Sequence, residues 1–243
     1  MSQQSQSRTS QEEPSAGLGL ERIVFLGRTW EEYLLMFDLS PEDMAQRTIL
    51  DCPAGACAFT ARANRRGIAA TAADIAYRHP VDELEPKGKR DLEHVMQSMD
   101  ASERQYEWGY FRNVGELRAA RSAALAETIA DMRAHGRERY VPATLPELPF
   151  ADGQFDLTLS AHFLFMYADR LDHAFHLATL AELMRVTREE VRIFPTVDLE
   201  SRRYPHMDDL ISFASGLGWR AQEVRVGYEF QKQANTLLKL TAQ

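Results

Sequence analysis

Two aspartates and the loop between them carry the first chemical signal in this 243-residue chain. Asp51 closes the short apolar run Thr48–Leu50, and Asp74 closes a second apolar run, IAATAAD. Between them lie the small-residue stretch Cys52-Pro53-Ala54-Gly55 and a helix-patterned segment, ACAFTARANRRG, that stops at Gly67. Strand, tight loop, helix and strand make a βαβ unit, and its helical crossover requires the two strands to be parallel. In open α/β sheets ligands bind beyond the carboxyl ends of the strands, near the point where the strand order reverses. Both carboxylates are expected there. A carboxylate at the second tip can accept hydrogen bonds from both hydroxyls of a ribose, which points to a nucleoside-containing ligand. Gly55 allows a ligand to approach the backbone closely, whereas Pro53 removes an N–H and fixes φ. The alternative duty of both aspartates is to cap the loop or helix that follows.

Other reactive residues are few. His162 stands toward the end of the fourth strand run, FDLTLSAHFLF, where a neutral imidazole can take a proton from a nucleophile near pH 7; the alternative is a histidine that packs or orients the loop. Cys52 and Cys57 are the two cysteines, and no Cys or His spacing elsewhere suggests a disulfide framework or a zinc site. Thr29 followed three residues later by Glu32 is a capping-box pattern, and Trp30, Tyr33 and Phe37 behind it form the apolar stripe of a packing helix. Tyr106, Trp108, Tyr110 and Phe111 crowd a short stretch and can form an apolar or stacking wall. At least one of them is expected to line an acceptor pocket and face His162, although each can equally anchor its segment to the core.

These residues are positioned by alternating elements. After the first βαβ unit, residues 79–139 are charged and helical in pattern, with breaks expected near Gly88, Gly109, Asn113, Gly115 and Gly136. A third strand follows in ERYVPATL, then a turn-rich ELPFADGQ, the fourth strand, a helix over LDHAFHLATLAELMRV, a fifth strand in EEVRIFPTVD and a helix over YPHMDDLISFASGLGW. Two strand-like runs, AQEVRVGYEF and NTLLKLTAQ, close the chain without a helix between them, so a hairpin replaces the last crossover. The expected fold class is therefore α/β, a mostly parallel seven-stranded sheet with helices on both faces, an antiparallel last strand and a helical insert between the second and third strands. Residues 1–19 are polar and small, which predicts a disordered tail before one domain over 20–243. Deleting 1–19 is expected to leave the melting temperature and ligand affinity nearly unchanged, as thermal denaturation and calorimetry would show.

Composition sets outer limits. With 44% hydrophobic and 26% charged residues the chain has the make-up of a globular protein. A net charge of −8 argues against bulk electrostatic binding to nucleic acid or anionic membranes. No apolar stretch approaches a membrane span and no basic-then-apolar leader opens the sequence, which predicts a cytoplasmic protein.

The stretch I49-L50-D51-C52-P53-A54-G55-A56-C57 resembles the first motif of class I S-adenosylmethionine-dependent methyltransferases, D-x-G-x-G-x-G, with Gly55 kept and Pro53 and Cys57 departing from it. L148-P149-F150-A151-D152-G153-Q154-F155-D156-L157 resembles that family's L-P-F-x-D-x-x-F-D stretch before the fourth strand, and the terminal strands around Val224 and Leu238 resemble its antiparallel sixth and seventh. The resemblance runs from about Thr29 to the C-terminus and implies a Rossmann-like fold. It implies S-adenosylmethionine as cofactor and S-adenosylhomocysteine as product, with Asp51, Cys52, Pro53, Ala54, Gly55, Asp74 and Ile75 among the cofactor-binding residues and Asp74 holding the ribose diol. Thr144 and Leu145 would meet the adenine, Ser160, Ala161 and His162 the methionyl part and the substrate mouth, and Arg28 the cofactor carboxylate. The implied reaction is an in-line displacement at the sulfonium methyl, which needs no metal. S160-A161-H162-F163 stands where many amino-methylating DNA and protein enzymes carry N-P-P-Y, which argues against amino methylation of bases; the acidic balance and the lack of an RNA-binding appendage favour a small-molecule acceptor, with nucleic acid and protein left open. Two other classes stay open: a non-catalytic regulatory protein that binds a nucleoside cofactor, and a nicotinamide-dependent oxidoreductase, for which the G-x-G-x-x-G loop is missing.

Overall fold

A computed structural model describes residues 24–100, 104 and 106–243. The tail expected over 1–19 lies outside them. The strand patterns assemble into one sheet in the order β3-β2-β1-β4-β5-β7-β6. β1 (Thr48–Asp51), β2 (Ala69–Asp74), β3 (Tyr140–Pro142), β4 (Phe155–Ala161) and β5 (Thr187–Phe194) are parallel. β7 (Thr236–Ala242) runs antiparallel to both β5 and β6 (Trp219–Arg225), as a closing hairpin requires. The fold class expected from the sequence is the one observed.

Successive residues of a strand face opposite sides, and the apolar residues use both. Ile49, Leu157, Leu159 and Leu237 pack with α1 (Trp30–Met36), α2 (Phe59–Arg65) and the insert, while Leu50, Val191, Ile193, Leu238 and Leu240 pack with α5 (His173–Arg185) and α6 (Met207–Gly216). A sheet buried on both faces is what parallel strands demand. α1 begins where the capping box placed it: Thr29 Oγ1 accepts the Glu32 N–H at 3.2 Å, and the Glu32 carboxylate accepts the Thr29 N–H at 3.0 Å.

The insert between β2 and β3 is helical, as expected, and consists of α3 (Val81–Asp100) and α4 (Val114–His135). Gly88, expected to break it, lies inside α3. A Cβ on Gly88 would stand 2.6 Å from Leu125 Cδ1, so this glycine lets α4 approach α3 closely and ends nothing. The breaks expected near Asn113 and Gly136 are observed, Asn113 capping α4 through its side chain and Gly136 at φ 48° following its last turn, whereas Gly115 lies inside α4.

The aromatic quartet also departs from expectation. Tyr106 stacks on Phe230 at 4.9 Å, Trp108 and Phe111 meet Phe230 edge-on, and Tyr110 meets Tyr228. The partners come from the loop between β6 and β7, so these four rings join the insert to the end of the chain. None of them lines the cavity described next. Among the described residues no helix is long and apolar enough to cross a membrane.

Candidate functional site

The strand order reverses between β1 and β4, and a cavity of about 270 Å³ opens beyond the carboxyl ends of the strands there. Cys52, Pro53, Ala54 and Gly55 follow β1, Asp74 and Ile75 end and follow β2, Thr144 and Leu145 follow β3, and Ala161 and His162 close β4; all of these line it. The cavity thus gathers ten of the expected residues.

Two expected residues do not line it. Asp51 is fully buried, and its carboxylate accepts the Tyr33 hydroxyl at 3.0 and 3.2 Å. Strand alternation directs it with Ile49 toward α1, behind the loop. Burial pushes its carboxyl well above the usual range, against the Tyr33 hydrogen bond and helped by the charge of Asp74. Ser160 is turned away for the same reason. Leu159 and Ala161 face α1 and α2, so Ser160 faces the opposite side, where its hydroxyl has no hydrogen-bond partner.

Asp74 combines both duties weighed for it. One carboxylate oxygen accepts the Gly55 N–H and the other the Ala76 N–H, each at 2.8 Å, so Asp74 ties the loop to the turn after β2 and stays on the cavity wall. A carboxylate has about four lone-pair sites, so each oxygen keeps one for a ligand hydroxyl. Burial raises the Asp74 pKa, while the N–H groups of Ala76 and Gly55 and the charge of Lys87 pull it down. Gly55 at φ 55° occupies the left-handed region that favours glycine, and its carbonyl accepts the Tyr77 hydroxyl at 2.8 Å.

His162 is a non-glycine residue at φ 53°, held there while its N–H donates to the Phe194 carbonyl at 2.7 Å. Such a conformation costs free energy and tends to persist at functional sites. Its Nδ1 is buried without a partner. Burial first, then the positive charges of Arg28 and Arg121, hold the imidazole well below its usual pKa, so it is neutral at pH 7 and a weak base. The cysteines are inert for the same kind of reason. Burial pushes the Cys57 thiol up to about 12, and Cys52 is also raised well above its ordinary value. Among the described residues no group of three or more metal-ligating side chains converges.

One more wall comes from a strap ahead of α1, where Val24, Leu26 and Arg28 line the cavity; of these the sequence pointed to Arg28 alone. The strap is tied down by long-range bonds: the Phe25 N–H donates to Asp91 of α3 at 2.8 Å, and the Arg28 carbonyl accepts the Ala58 N–H at 3.0 Å. Gly27 was the other readable signal. A Cβ there would stand 1.8 Å from the Ala56 carbonyl oxygen, so strap and loop touch through backbone. Gly27→Ala is expected to cost about 1–3 kcal/mol through overpacking and to weaken ligand binding by shifting the wall. Unchanged melting temperature and unchanged S-adenosylhomocysteine affinity would contradict this. Val95, Phe163, Met166, Tyr167 and Leu199 add further apolar lining, brought in by α3 and by the segments after β4 and β5.

Sheet order, antiparallel terminal pair and a cavity at the switch point make a Rossmann-like fold, the one that the resemblance to class I S-adenosylmethionine-dependent methyltransferases implied. The chain belongs to the same family as the uncharacterized protein MJ0045 of Methanocaldococcus jannaschii, with which it is 32% identical over 222 residues, covering 91% of this chain and 97% of that protein. No family model matches it. Similar solved structures include an S-adenosylmethionine-dependent methyltransferase from Aquifex aeolicus, 14% identical, covering 87% of this chain and 93% of the other, with a TM-score of 0.43. The 1,6-didemethyltoxoflavin-N1-methyltransferase of Burkholderia thailandensis, solved with 1,6-didemethyltoxoflavin and S-adenosylhomocysteine, is 14% identical over 81% of this chain and 71% of that one, with a TM-score of 0.46. The magnesium protoporphyrin IX methyltransferase of Synechocystis with bound S-adenosylhomocysteine is 10% identical over 87% and 81% of the two chains, with a TM-score of 0.48.

Proposed function

We propose that the protein is an S-adenosylmethionine-dependent methyltransferase acting on a small molecule. The observation that carries this is Asp74: a carboxylate at the tip of β2, on the wall of the switch-point cavity, with both oxygens oriented by backbone N–H groups. Two buried polar atoms without partners, Arg28 Nε and His162 Nδ1, belong to residues of the same cavity lining and support its reading as a ligand site. Asp74 would hold the ribose diol. Ile75, 54% exposed, and Leu145 offer apolar surfaces for the adenine, with Thr144 beside them. The Thr144 hydroxyl already accepts a hydrogen bond from Arg78 at 2.9 Å, which fixes its orientation. The loop Cys52–Gly55 and Ala161 would flank the methionyl part.

Bound in this cavity, the cofactor supplies a methyl group already activated by its sulfonium charge. The chain then has to align acceptor and methyl carbon and keep water out. Leu26, Val95, Met166 and Tyr167 supply apolar walls for that purpose. His162 meets the acceptor as a neutral hydrogen-bonding group. Its depressed pKa makes it a poor general base and a good orienting partner.

Isothermal titration with S-adenosylhomocysteine, S-adenosylmethionine and NADH tests the cofactor, with the two sulfur compounds expected to bind and NADH not. A methyl-transfer screen with labelled S-adenosylmethionine then separates an enzyme from a regulatory protein that binds the same ligand. Tighter binding of NADH than of S-adenosylhomocysteine would remove the proposal.

A further inference from the structure

Charge is unevenly distributed in the cavity. Among its lining residues Arg28 and Asp74 carry formal charges, and Asp74 sits at the β2 end with its oxygens tied to Gly55 and Ala76. Arg28 lines the same cavity from the strap, close enough for its charge to act on His162. Behind it, Glu32 is fully buried and already committed: Arg121 holds its carboxylate through two hydrogen bonds, one of 2.7 Å, and Tyr228 donates to it at 2.7 Å. Arg28 Nε lies 4.0 Å from Glu32, too far for a hydrogen bond, and among the described residues this buried nitrogen has no hydrogen-bond partner. One carboxylate therefore serves two guanidiniums. A mostly buried guanidinium whose Nε–H has no acceptor is costly, and a ligand that supplies one is favoured.

The cofactor does not correct this imbalance. Its methionyl end brings a carboxylate but also an ammonium and a sulfonium, so it adds positive charge where Arg28 already stands. Resting on the methyltransferase proposal above, we infer that the acceptor is a small apolar carboxylic acid bound as its anion, with one carboxylate oxygen on Arg28 and the other presented to the methyl group beside His162. The oxygen lone pair forms the O–CH3 bond, the S–CH3 bond breaks with its electron pair left on sulfur, and no proton moves. The product is a neutral ester, which Arg28 no longer retains by charge. An acceptor that arrives deprotonated needs no base, in agreement with the weakly basic His162. Apolar walls from Leu26, Val95, Met166, Tyr167 and Leu199 suit an apolar body and strip water from the attacking oxygen.

The test uses the full chain saturated with S-adenosylhomocysteine and titrated calorimetrically with benzoate, cinnamate and indole-3-acetate, each against its amide. At least one carboxylate is expected to bind tenfold or more tightly than its amide. That preference should fall below threefold in Arg28→Gln and survive in Arg28→Lys, while S-adenosylhomocysteine affinity stays within threefold in both. Amides that bind as well as carboxylates, or binding of none of the six probes, would overturn the inference. A folded Arg28→Gln that loses S-adenosylhomocysteine tenfold would also overturn it, because Arg28 would then belong to the methionyl carboxylate. Failure of the unsubstituted protein to bind S-adenosylhomocysteine is a separate result, seen before any probe is added, and it removes the methyltransferase proposal itself.

Discussion

Asp74→Ala is expected to weaken S-adenosylhomocysteine binding by ~2–4 kcal/mol, about thirtyfold to several hundredfold, with the fold retained. Two charge-assisted hydrogen bonds to the ribose are lost, and water recovers part of their worth. The Gly55 and Ala76 N–H groups lose their acceptor as well, which loosens the loop along the ligand. Asp74→Asn is no remedy, since its amide nitrogen would face one of those two donors with a donor of its own. The carboxylate is the form that accepts both hydroxyls, and burial raises its pKa. Affinity is therefore expected to fall as pH drops toward that raised value, and the bound ligand to shift the pKa back down. Calorimetry across pH on unsubstituted protein and variant, with circular dichroism as the control for folding, reads both effects. An unchanged affinity in folded Asp74→Ala would show that Asp74 does not hold the ribose.

Glu32→Ala is expected to be the most destabilising single change, at about 3–5 kcal/mol, because it strands Arg121 as a buried cation without a counter-ion and leaves the mostly buried Arg28 without its nearest carboxylate. Arg121 is 2% exposed and Glu32 is not exposed at all, so water cannot replace the lost carboxylate. The substitution also removes half of the capping box of α1 and the acceptor of the Tyr228 hydroxyl. At roughly 2–4 °C per kcal/mol for a chain of this size, the melting temperature should fall by about 6–20 °C. The pair also carries a pH signature. Burial pushes the Glu32 carboxyl up, but the charge and hydrogen bonds of Arg121, then the charge of Arg28, outweigh it and lower the pKa to about 2. A depressed folded-state pKa contributes stability that is fully present above the ordinary value of 4.5 and is lost as pH falls toward 2. Thermal melts between those limits should lose stability more steeply in the unsubstituted protein than in Glu32→Gln. Equal slopes would show that the pair is not linked to folding.

Residues near one another in sequence were read well, because the physics that places them is local. The period of apolar residues located the βαβ unit, the final hairpin and the helices after β4 and β5. Thr29 and Glu32 announced the start of α1 because a capping box spans a single turn. Asp74 and Gly55 were legible as cavity residues because a strand tip and its loop are joined by a few bonds of chain. Asp51 and Ser160 were placed on the right strands yet not on the cavity. The two-residue alternation of a strand is fixed in the sequence, but which face meets the ligand depends on what packs against each side.

The sequence by itself thus determined the element order, the parallel pairing and the position of the ligand end of the sheet. Tertiary structure alone decided how the strap wall is assembled around Arg28 and which carboxylate is left to partner its charge. The strap at Val24–Arg28 reaches the cavity because Asp91, on α3, holds the Phe25 N–H. Arg28 is left without a hydrogen-bonding carboxylate because Arg121, 89 residues from Glu32, takes that carboxylate first. Tyr106, Trp108 and Phe111 went to Phe230 and the core for the same kind of reason. Contacts between distant segments have no periodicity to reveal them. Competition for a single buried partner is settled only when every competitor has been brought into the same small volume.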